Sequence, residues 1–111
     1  MRTAKKAQLL RLHFSESDQY NGKPLYEAIV DRVREFRIAG ATVFRGLEGF
    51  GESAELHRHR FAHRDQPVVV TIVDTAENLA RLIPEVEAMM DTGMIAKSDV
   101  ECIRIENPPA G

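Results

Sequence analysis

Of its 111 residues the chain has one cysteine and no tryptophan. A lone cysteine closes no intrachain disulfide, which excludes the small cross-linked scaffolds of secreted proteins. Long apolar runs are missing too. The N-terminal MRTAKKAQLLRLHF begins basic, but Arg11 and His13 interrupt it before an apolar segment forms. We therefore expect no signal peptide, no transmembrane helix and a cytoplasmic protein. Nor is there an excess of basic charge: 15 Lys and Arg face 17 Asp and Glu, a net charge of −2. That argues against a general nucleic-acid binder but allows a local basic patch. The sequence has no internal repeat and no low-complexity tract. This length implies one domain, residues 1–111, with a modest core that self-association would help to stabilise.

Periodicity supplies the elements. In AQLLRLHF, 7–14, Leu10, Leu12 and Phe14 alternate at strand spacing. SESDQYNG, 15–22, is polar and rich in turn formers, and reads as a loop. Pro24 suits the first turn of a helix, in which Leu25, Ala28, Ile29, Val33 and Phe36 recur at helical spacing. Gly40 reads as the glycine that closes that helix. ATVFRGLEGF, 41–50, reads as a second strand and GESAEL, 51–56, as a mobile loop. PVVVTIVD, 67–74, is nearly all β-branched, as expected of a strand buried on both faces or nearly so. Asp74 and Glu77 have the spacing of a capping box. The helix they would open packs Leu79, Leu82, Ile83, Val86 and Met90, and Pro84 should kink or restart it. Residues 99–106 read as a last strand, with Cys102 in the core rather than acting as a nucleophile. Met89, Met90 and Met94 read as core or subunit packing. The order β-α-β-β-α-β predicts an α+β, ferredoxin-like sandwich: a four-stranded antiparallel sheet with two helices on one face. Its other face, half apolar, favours oligomerisation.

Two stretches carry the chemistry. In RGLEGFG, 45–51, three glycines allow backbone N–H groups to approach a ligand. The spacing is not that of a dinucleotide fingerprint, and a bulge at the exit of a strand is the competing reading. Glu48, between two of the glycines, could hydrogen-bond a ribose hydroxyl or a ring amine, or simply be solvated. In HRHRFAHR, 57–64, His57, His59 and His63 would share one face of an extended strand and could surround zinc or copper. Arg58, Arg60 and Arg64 interleave with them and disfavour a cation, whereas arginine forks match phosphate oxygens. A solvated charged arm remains the third reading. Ser53 and His57 lie near Glu55, but no nucleophile elbow surrounds the serine, and no constellation demands catalysis.

GKPLYEAIV at 22–30, AGATVFRGLEGFG at 39–51 and DVECI at 99–103 resemble the DUF190 family of PII-like proteins, over roughly residues 7–106. More distantly, Gly49, Phe50 and Gly51 resemble the turn that opens the long T-loop of PII signal-transduction proteins. Thr92, Gly93 and Ile95 resemble the start of their phosphate-cradling B-loop. The glycines expected next are replaced by AKSD, and Lys97 would stand for the phosphate-binding lysine. This departure favours a smaller adenine nucleotide over ATP, within the set AMP, ADP and ATP. The resemblance implies a homotrimeric regulator, not a catalyst, with ligand clefts between subunits. The candidate ligand-binding residues are then Arg45, Gly46, Glu48, Gly49, Phe50, Gly51, His57, Arg58, Thr92, Gly93 and Lys97. Ligand would order residues 51–58 toward a partner protein, for which a membrane transporter is the precedent. The alternative, a divalent-metal protein resembling the CutA type, would use His57, His59 and His63.

Overall fold

A computed structural model describes residues 2–46 and 66–109. The elements follow in the order β1 (Arg2–Ser15), β2 (Gln19–Tyr20), β3 (Lys23–Pro24), α1 (Leu25–Glu35), β4 (Ala41–Arg45), β5 (Pro67–Asp74), α2 (Ala76–Met89) and β6 (Met94–Ile105). The main sheet runs β4-β5-β1-β6, antiparallel at every pairing. With its two helices this is the ferredoxin-like sandwich expected from the sequence.

Strand alternation sets the two faces. Leu10, Leu12 and Phe14 of β1 and Val68, Val70 and Ile72 of β5 are buried. They meet Leu25, Ala28, Ile29 and Val33 of α1 and Leu79, Leu82, Val86 and Met89 of α2 in one core. Each fully buried Leu or Ile contributes about 1.5–3 kcal/mol. The alternate residues point to the other face. Their register rows are Phe44, Val69, His13 and Met94, then Thr42, Thr71, Arg11 and Ala96. Phe44 and Met94 are exposed, and nothing among the described residues covers them.

Several boundaries differ from expectation, each for a local reason. The polar stretch 15–22 contains one arm of a small hairpin. Asn21 and Gly22 both take positive φ, 50° and 82°, as a two-residue type I′ turn requires, and Asn-Gly is its favoured pair. Pro24 is the last residue of β3 and the N-cap of α1, one position earlier than expected. The first and last strands of the chain are longer than read, β1 from Arg2 and β6 from Met94. Arg2–Ala7 pairs only with Val100–Ile105, because β5 pairs no further than Gln8. Cys102 sits in that two-stranded ribbon opposite Lys5, half-buried rather than in the core. β4 ends at Arg45, so Gly46, expected within it, is not strand, and the rest of the expected strand lies outside the described residues.

Helix α1 closes at Arg37, not at Gly40. The N–H of Arg37 donates to Arg34 O (3.0 Å) and that of Ile38 to Val33 O (3.2 Å), the paired bonds of a Schellman motif. Ile38 is buried, and its position relative to Val33 matches the apolar contact that accompanies the motif. The left-handed residue is therefore Arg37, φ 56°. Arg37→Gly is expected to stabilise the fold by about 0.5–1 kcal/mol, the relief of left-handed strain less the entropy of a freer unfolded chain. A thermal melt checks this, and a lowered Tm counts against it.

Helix α2 starts one residue later than the capping box predicted. Thr75 is the N-cap, and its Oγ1 accepts from Asn78 N–H (3.1 Å). Asp74 instead accepts from the N–H of Thr75 (2.6 Å), the amide of Asn78 (2.9 Å) and the N–H of Ala39 (2.9 Å). It thereby ties the α1–β4 connection to the β5–α2 corner. Burial works to raise its pKa, but these three donors outweigh burial and hold the carboxyl below the usual range. A depressed folded pKa gives stability that is present above the ordinary Asp value of about 3.9 and lost as pH falls through the folded value. The Tm advantage of wild type over Asp74→Asn is thus expected to be constant above about pH 5 and to shrink below about pH 4.

Pro84 does not restart α2, which runs unbroken from Ala76 to Met89. The proline is exposed, so the carbonyl it leaves without a donor can meet water. The buried residues Leu79, Leu82, Val86 and Met89 on both sides hold the helix to the sheet. Met89 takes the buried place, while Met90, expected within the helix, is the C-cap and only partly buried.

Candidate functional site

One end of the sheet carries Arg45, Gly46, Thr92 and Gly93 of the predicted site residues. β4 ends in Arg45 and Gly46, which flank the segment 47–65, and Gln66 and Pro67 return from it. Arg45 is opposite Val68, and Gly46 N–H donates to Pro67 O (2.7 Å). On the other side of β5, Ser15 is opposite Pro67, and Glu16 N–H donates to Gln66 O (2.8 Å). The hydrogen-bonded ladder thus continues to the last residues that flank the segment. Glu48, Gly49, Phe50, Gly51, His57 and Arg58 lie outside the described residues, as do His59 and His63.

Sequence reasoning missed Glu16. The side chain of Arg45 crosses the start of β5 and pairs with it, Nη2 to Oε2. Glu16 Oε1 is sealed from solvent and has no hydrogen-bond partner among the described residues. Nothing in SESD marked this residue, because its importance comes from the three strands that converge there.

Thr92 and Gly93 lead into β6, at the same end of the sheet but the opposite edge. Gly93 has φ 128°, and a Cβ placed on it would lie 2.5 Å from His13 O. Packing alone therefore demands glycine here. Arg45, Val68 and Phe14 form a row across three strands, and Gly93, just before β6, lies beside Phe14, so Arg45 and Gly93 are separated by three strand spacings, about 14 Å. One subunit does not bring the two predicted halves together. Lys97 is exposed and opposite Leu10, some four residues further along β6, or about 13 Å.

The DUF190 family model, described as an uncharacterized ACR, matches residues 7–102. The chain belongs to the DUF190 family. A UPF0166 protein of Aquifex aeolicus is 40% identical over 105 residues, covering 93% of this chain and 98% of the relative. The fold is similar to CPII from Thiomonas intermedia K12, solved bound to ADP, AMP and acetate, with TM-score 0.60, 17% identity and 90% and 91% of the two chains covered. It is also similar to the divalent ion tolerance protein CutA1 of Ehrlichia chaffeensis, with TM-score 0.57, 16% identity and 85% and 80% coverage. The DUF190 chain thus has a PII-like fold. No helix among its described residues is long and apolar enough to cross a membrane.

Proposed function

We propose that this DUF190 protein is a homotrimeric PII-like regulator that binds an adenine nucleotide in clefts between subunits. The observation that carries this reading is the split site. Arg45 and Gly46 stand on one edge strand and Thr92 and Gly93 at the other, at the same end of the sheet. A neighbouring copy that sets its β6 edge against the β4 edge completes a cleft with residues from both. The cleft would offer the Arg45 guanidinium and backbone N–H groups at Gly49 and Gly51 to phosphate. Glu48 would read a ribose or base edge, with His57, Arg58 and Lys97 as further cations. The CPII likeness supports the ligand class, since that protein holds ADP and AMP. Ligand would order residues 51–58 and so change what a partner protein, such as a membrane transporter, meets.

Calorimetric titration with AMP, ADP, ATP and Zn²⁺, with the oligomer followed by light scattering, tests the proposal. We expect saturable nucleotide binding by a trimer, weakened at least about tenfold in Arg58→Ala, the loss of one charged contact. A response to Zn²⁺ alone, abolished by replacing His57 and His59, would move the reading to the CutA-like alternative, which the CutA1 likeness keeps in view.

A further inference from the structure

Arg45 and Glu16 meet across the first residues of β5 with unequal surroundings. The arginine side chain is 59% exposed and the glutamate 18%. Oε2 of Glu16 holds Arg45, whereas Oε1 is buried and lacks a donor among the described residues. A buried carboxylate oxygen without a donor is costly. Drawing the exposed guanidinium away would leave the mostly buried carboxylate with less compensation. The Glu16 backbone is tied to the sheet by its bond to Gln66 O, which holds the residue beside the start of β5.

Any anion that enters by way of Arg45 must reckon with this carboxylate. A bare polyphosphate offers only acceptors: it draws the guanidinium off Glu16 and returns nothing. A phosphorylated nucleoside offers phosphate to Arg45 together with hydroxyl or amine donors to the carboxylate, so both partners stay satisfied. The carboxylate torsion is soft, so either oxygen can meet such a donor. Resting on the nucleotide reading above, we propose that Glu16 is a specificity-determining residue of the cleft. It selects ligands that carry a hydrogen-bond donor beside a phosphate and rejects bare polyanions.

The test is calorimetric titration of the intact protein with ADP and with inorganic pyrophosphate, in wild type, Glu16→Ala and Glu16→Gln. Wild type is expected to prefer ADP. Glu16→Ala is expected to tighten pyrophosphate and weaken ADP, each by about tenfold, the worth of one charge-assisted hydrogen bond. Glu16→Gln keeps an acceptor but not the charge, so pyrophosphate tightens while ADP holds; this variant decides the matter if the alanine variant does not fold. Parallel weakening of both ligands, or an unchanged ratio, overturns the proposal and leaves nucleotide binding standing. Wild-type protein that binds no adenine nucleotide overturns both.

Discussion

Gly93→Ala is expected to unfold the protein roughly 15 °C below wild type, a loss of about 3 kcal/mol. Two costs combine. At φ 128° an L side chain is strained wherever it points. The new methyl would also lie 2.5 Å from His13 O and 2.7 Å from Met90 Cε. The methionine end can swing aside. The carbonyl cannot follow cheaply, because His13 lies in the middle sheet, opposite both Val69 and Met94. Relief therefore requires the turn into β6 to move away from β1. Circular dichroism melts settle the size of the effect, and a fall of less than a few degrees would mean that the turn relaxes without disturbing β1. Since packing alone requires this glycine, its presence is no argument for a phosphate cradle.

The second large effect is on assembly. Phe44→Asp combined with Met94→Asp is expected to convert the proposed trimer to a monomer whose circular dichroism is unchanged. In the single subunit the two side chains are 56% and 58% exposed, so replacing them costs little there. In an assembly that covers the open face, the same carboxylates would be buried without partners. The row also contains Val69 and His13, and the neighbouring row Arg11, with no acid in either. Light scattering reads the outcome, and a variant that remains trimeric would place the interface elsewhere. Nucleotide titration of the monomer adds a second check, since a cleft built from two edges should vanish with the neighbour.

Much of the fold could be read from residues. Alternation in LLRLHF and the β-branched run PVVVTIVD marked the central strands, and the 3–4 spacing in both helices marked what they bury. The misses came where two local signals competed or where the deciding partner was distant. Asp74 and Thr75 are both good caps, and Ala39, 35 residues away, draws Asp74 out of that role. Gly40 was the obvious helix stop, but the apolar match of Ile38 with Val33 closed the helix sooner and forced an arginine into the left-handed region. Pro84 yielded to the packing on either side of it. Residues 15–22 read as a loop, because hairpin arms of only two residues left no alternation beside Asn21-Gly22. At the candidate site, Arg45, Gly46, Thr92 and Gly93 were named from sequence. That they stand at opposite edges, and that Glu16 engages Arg45, followed only from strand order.

The ribbon beyond Gln8 brings the two ends of the fold side by side, with Arg2 opposite Ile105. It does so far from the row of Phe14 and Gly93, since eleven strand residues separate Arg2 from His13, or about 37 Å. Anything fused ahead of Arg2 or after Ile105 emerges at one remote corner. A fluorophore or affinity handle on either terminus should leave ligand affinity untouched. A short linker joining the ends, with new ends opened at the Asn21–Gly22 turn, should give a circular permutant that folds.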